Sequence, residues 1–146
     1  MIHVLAFRPE HLAALDPQEA QRAQLTGDVL ARGEALSVSG NCFTAFSATD
    51  GAMLMCGGSI ETHGDYATMW SAFGSIAPGR LREMAAVRER TRWLLAMMTH
   101  RRIDAVVRVD HVPAHHWMKA LGFVPEARLN DYFDDGGDAM IYRLVR

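Results

Sequence analysis

One run constrains this chain more than any other. PGRLREMAAVRERTRWLLAMMTH, residues 78 to 100, lies between two β-type segments, YATMWSAF and RIDAVVRV. Its residues at 81, 84, 87, 91, 94, 95 and 98, all apolar except Thr91, follow a 3.6-residue period, with arginines and glutamates opposite. A strand, a long helix and a second strand close into a right-handed crossover, which lays the two strands parallel. Upstream the signals are antiparallel. CFTAFSAT alternates, Asp50-Gly51 marks a hairpin turn, AMLMCGGSI returns as an apolar strand, and THGD turns the chain into YATMWSAF. The sheet is therefore mixed and the fold class α+β.

The remaining elements fit around that sheet. IHVLAF, residues 2 to 7, reads as a first strand stopped at Arg8-Pro9. Residues 9 to 36 read as broken helices. Leu12 and Leu15 share a face, Asp16-Pro17 interrupts them, and Thr26-Gly27-Asp28 splits the rest. Gly57-Gly58 inside a strand predicts a bulge or a close backbone approach. Ser75 is a candidate cap for the long helix, and Pro78 suits its first turn. AHHWMKALGF reads as a further helix running into a Gly-Phe stop, and residues 128 to 133 and 139 to 145 read as two closing strands. The expectation is six to seven strands and about four helices in a single domain over residues 1 to 146. A domain of this size hides about 68–70% of its unfolded surface, enough for one core.

Composition narrows the function classes. A formal net charge of −2 gives no electrostatic reason to bind nucleic acid or an anionic membrane. Arg80, Arg82, Arg88, Arg90 and Arg92 crowd the long helix, a solvated face partly balanced by Glu83 and Glu89. Cys42 and Cys56 read as buried, inert thiols of a reducing compartment. No run approaches the ~20 apolar residues of a membrane span, and MIHVLAF lacks the basic lead of a signal peptide, so a cytoplasmic location is expected. Asp110, His111, His115 and His116 invite a metal reading, but Pro113 between the histidines starts a helix there, and no metal is expected. Trp93 and Trp117, at helical spacing, read as core.

The element order, AHHWMKALGF in the penultimate helix and a closing hairpin after Phe123 resemble the GCN5-related N-acetyltransferase (GNAT) fold over nearly the whole chain. The resemblance implies that the fourth and fifth strands, residues 66 to 73 and 102 to 109, splay apart around acetyl-CoA, used as co-substrate. It further implies transfer of an acetyl group to an amine of a small molecule or protein, with strand amides polarising the thioester. FGSIAPGRL, residues 73 to 81, is a strand-to-helix junction of the kind that offers free amides and a positive dipole end to a pyrophosphate. Phe73, Gly74, Ser75, Gly79 and Arg80 are accordingly the expected cofactor contacts. The family's loop pattern, Gln or Arg followed by two residues, Gly, any residue and Gly or Ala, is not present, and a plain helix cap explains Ser75, Pro78 and Gly79 as well.

Catalysis departs from the family too. Matching Ala114 and Gly122-Phe123 to its pattern puts Met118 where a tyrosine commonly protonates the departing thiolate, and His111 where asparagine is common. A thioether donates no proton. His111, expected at the mouth of the cleft, and Glu61, near His63 at the end of a meander strand, are the candidate acid and base. GGSIET, the arginine-rich helix and WMKALGF are also similar to small GNAT-fold proteins of short-tailed bacteriophages, some acetyltransferases and others internal virion proteins. That narrower resemblance implies an alternative: an inactive structural or host-interaction protein, partnered by other virion proteins. A homodimer through the final hairpin is a further expectation.

Overall fold

Alternation and turn chemistry produce the expected sheet. The computed structural model describes residues 1–22, 24–25, 27–38 and 41–146. The chain runs β1 (Ile2–Ala6), α1 (Pro9–Ala14), α2 (Glu19–Arg22), α3 (Val29–Val38), β2 (Cys42–Ser47), β3 (Met53–His63) and β4 (Tyr66–Phe73). A 3-10 turn (Ala77–Gly79) then leads to α4 (Leu81–Met97), β5 (Arg102–Arg108), α5 (Val112–Ala120), β6 (Phe123–Leu129) and β7 (Ala139–Leu144). The seven strands form one sheet in the order β1-β2-β3-β4-β5-β7-β6. Its neighbours are antiparallel except β4 and β5, the pair that α4 connects.

Helices cover both faces. On one side Leu95 of α4 and Ala114, Met118 and Leu121 in and just after α5 pack on Ile103, Ala105 and Val107 of β5, while Val87 of α4 meets Phe43, Met55 and Phe73. On the other side Leu12 and Leu15 pack with Phe7 on Cys56 and Ala72. Adjacent residues Ala72 and Phe73 thus serve opposite layers, as the period of two requires. Burial pushes the Cys56 thiol up to about 11, and both cysteines are free.

Several expectations need correction. The helical region yields α1, α2 and α3, and Thr26, in the expected split, lies outside the described residues. β6 begins at Phe123, not near residue 128. Gly122 takes φ +96°, which turns the chain back into the sheet at once, and Pro125 disguised an edge strand that has no need of its N–H. Gly57 and Gly58 sit in regular register, so the close approach rather than the bulge holds: a Cβ on Gly58 would lie 2.6 Å from the Asn41 carbonyl oxygen. Trp93 is 52% exposed, its ring under Arg90, and is not core. Glu83, expected on the solvated face, is buried and accepts a hydrogen bond from Ser47 at 2.5 Å. Among the described residues no helix is long and apolar enough to cross a membrane.

Candidate active site

β4 and β5 are paired only from Tyr66↔Arg102 to Met69↔Ala105. Beyond that point each keeps its outer neighbour. Trp70 to Phe73 continue along β3, and Val106 to Arg108 along β7. The two strands part, and a narrow cavity of about 50 Å³ lies between them, lined by Ser71, Phe73, Val107, His111, Trp117 and Met118 among others. Phe73 and Trp117, in edge-to-face contact at 5.2 Å, also line a more open groove of about 360 Å³ between the starts of α4 and α5. A third hollow, about 650 Å³, adjoins both through Gln18 and His111.

The gap-facing edge of β4 is bonded by a segment that sequence reasoning passed over. Pro17 bridges Gly74 in antiparallel fashion, Gln18 N–H donates to Phe73 O at 3.0 Å, and Ser75 N–H donates to Asp16 O at 2.7 Å. The Gln21 carboxamide completes the row. It accepts from Phe73 N–H at 2.7 Å and donates to Ser71 O at 2.8 Å. Across the gap Gln18 Oε1 lies 2.8 Å from His111 Nε2; an amide oxygen only accepts, so Nε2 carries the proton.

His111 stands where the sequence put it, at the mouth of the gap, and is 4% exposed. Burial lowers its pKa below 6.5, reinforced by the charge of His115 and opposed by Asp110. The imidazole is therefore neutral at pH 7. Glu61 is elsewhere. It pairs with Ala67 at the zipped end of β4 and contacts His100 at 2.9 Å. Ser71 is four residues further on, about 13 Å at the rise of an extended strand, so Glu61 cannot reach a proton in the gap. Met118 is buried in the cavity wall, and its thioether has no proton to give.

The strand-to-helix junction differs from expectation as well. Ser75 is no helix cap: its hydroxyl donates to Asp16 at 2.5 Å, and α4 starts only at Leu81 with Arg80 as N-cap. The amides of Ala77, Gly79 and Arg80 are used by the 3-10 turn, so the donors left for an anion are those of residues 81–83. Arg80 turns away from the groove, donating to Asp50 at 2.6 Å and Glu83 at 3.3 Å. Arg88 lines the groove instead, and Arg82 makes no ion pair among the described residues. Of the other expected contacts, Phe73 lines cavity and groove and Ser75 the outer hollow. Gly74 is buried, donating to Leu54 O at 2.8 Å, whereas a Cβ on Gly79 would meet nothing within 4 Å.

The histidines near α5 have separate duties. His115 Nδ1 lies 2.6 Å from the Tyr142 hydroxyl, and its Nε2 donates to Val109 O at 2.9 Å. Among the described residues no group of three or more His, Cys, Asp or Glu could hold a metal ion.

Comparison with known proteins places this geometry in a fold. No protein-family model matches the sequence, and no curated protein matches it. Solved structures do match in shape. A GNAT-family acetyltransferase from Bacillus anthracis is 11% identical with TM-score 0.72, over 99% of this chain and 94% of that one. Ard1 from Thermoplasma volcanium is 18% identical with TM-score 0.74, over 99% of each chain. A ribosomal-protein-S5-alanine acetyltransferase from Vibrio fischeri is 13% identical with TM-score 0.71, over 99% of this chain and 92% of that one. At these identities the likeness establishes the GNAT fold.

Proposed function

We propose that this GNAT-fold chain is an acetyl-CoA dependent N-acyltransferase, passing an acetyl group directly to an amine of a small molecule or protein. The parting of β4 from β5 after Met69 and Ala105 carries the reading, because it releases the inner edge of β4 from its neighbour strand and leaves it to exchangeable partners inside the sheet. The residues around it fit the co-substrate. The groove from Phe73 to Arg88 offers apolar walls with one cation, and the free amides at residues 81–83 suit a pyrophosphate. When bound, acetyl-CoA supplies an acetyl group activated as a thioester.

The chain's own groups divide the remaining work. Phe73 N–H, once released from Gln21, is the donor that polarises a carbonyl in the gap. His111, neutral at pH 7 and protonated on Nε2 while Gln18 holds it, takes the proton of the attacking amine through its Nδ1 lone pair. Direct attack requires no covalent intermediate on the protein. Ser71, whose hydroxyl makes no hydrogen bond among the described residues and which lines the cavity, offers a hydrogen bond to the departing sulfur in place of the missing tyrosine, and the thiolate takes its proton from water.

Calorimetric titration with acetyl-CoA tests the reading, alongside thermal unfolding. Binding at 100 times the dissociation constant should stabilise the fold by about 2.7 kcal/mol. No heat and no shift at millimolar acetyl-CoA would end it.

Met118 and the occupied edge of β4 favour a second reading, an inactive GNAT-fold protein with a structural or host-interaction role, in a phage virion or its host's cytoplasm. A gene placed among capsid and tail genes, together with no acetyl-CoA binding, would support it.

A further inference from the structure

Four groups on the gap-facing edge of β4 and just beyond it, Ser71 C=O, Phe73 N–H, Phe73 C=O and Ser75 N–H, are bonded by residues 16–21. The Gly74 N–H between them points the other way, to Leu54 O. The segment behaves as a short strand whose last peptide unit is a side chain. A carboxamide presents one acceptor and one donor, the same pair a peptide group would offer. Gln21 is 6% exposed and sits in the cavity wall, so its amide fills the position that an added strand or an amide-bearing ligand would take.

We propose that Gln21 is an intramolecular competitor for the edge of β4, and that the strap of residues 16–21 must leave Phe73 and Ser71 before an acyl donor carrying amides of its own can add there. The identity of that donor rests on the acyltransferase reading; the strap does not.

The strap is built to leave. Its helix α2 has four residues, far below the length that sustains a helix by itself. Its ends are tied by exposed contacts, Arg22 to Asp16 at 2.9 Å and Ser75 to Asp16 at 2.5 Å. The hydrogen bonds that Gln18 and Gln21 make to β4 are neutral and exchangeable for ones to a ligand or water. Departure also breaks the Gln18–His111 contact, so the motion that bares Phe73 N–H uncovers the imidazole in the same step.

Amide hydrogen exchange on the unliganded wild-type protein is the first test, because it needs neither a variant nor a ligand. Local opening of the strap predicts that Phe73 and Ser75 exchange at least about tenfold faster than Gly74. Equal rates at all three would overturn the proposal. The second test titrates CoA into wild type and Gln21→Leu, with Gln21→Met held ready should the first variant fold poorly. Relief of competition predicts about tenfold tighter CoA binding by the variant. Binding that is unchanged or weaker in the variant would overturn competition by Gln21. Fast exchange at Phe73 with no CoA binding by any form would uphold the opening strap and overturn the acyltransferase reading.

Discussion

From Tyr66 to Met69, β4 is laddered to β3 on one side and β5 on the other; from Trp70 to Phe73 it keeps β3 and exchanges β5 for residues 16–21. The zipped half is pinned by Asp104, 1% exposed, which accepts from the Tyr66 hydroxyl, from Thr68 at 2.9 Å and from Arg102 at 3.4 Å. A buried carboxylate held this way cannot lose a partner cheaply. The parted half is held by neutral amides, which swap partners at little net cost. One strand thus combines a fixed anchor with an exchangeable edge.

Substitutions can break that contrast. Asp104→Ala should cost about 3–5 kcal/mol in urea unfolding, because it strands Arg102 and two hydroxyls in the zipped half. Gln21→Ala in the parted half should cost only about 1–2 kcal/mol, since water can follow the amide to Phe73. Equal costs would show the two halves to be held alike. Arg88→Ala should weaken CoA binding about tenfold, while Arg80→Ala leaves it unchanged, its guanidinium being committed to Asp50; calorimetry on both variants sharpens the boundary of the groove.

Protonation gives the smallest effect. A histidine whose folded pKa is depressed favours the unfolded chain when it charges, so its contribution to stability is present above pH 6.5 and is lost as pH falls toward the folded value. Turnover should decline over the same direction of pH as the base is lost. His111→Gln should flatten the acid limb of the stability profile; an unaltered limb would remove His111 from that role.

The sequence made β4 legible to the residue, because alternation runs between a glycine turn and the Phe73-Gly74 stop. The splay was what the GNAT resemblance implied, and the place of His111 followed from its position just past the fifth strand. The strap did not. Gln18 and Gln21 sit in a polar helical stretch without a motif, and their meaning comes from β4, some 50 positions away. Glu61 was misplaced because strand order does not give register, which sets it opposite Ala67 at the closed end. Arg80 was the nearest cation to the helix start, yet Asp50 of the Asp-Gly turn captures it. That carboxylate was visible in the sequence; its reach across the sheet was not.

β6 ends the sheet on one side, and it ends it badly for any newcomer. Pro125 withholds a donor, and the register slips between Pro125 and Ala127. Such a border discourages polymer-like growth by docking of foreign chains along the rim. The seam in the middle of the sheet differs from that rim: there the inner edge of β4 is held by the chain's own N-terminal quarter, and under the proposal above it admits an extended guest once that strap lifts.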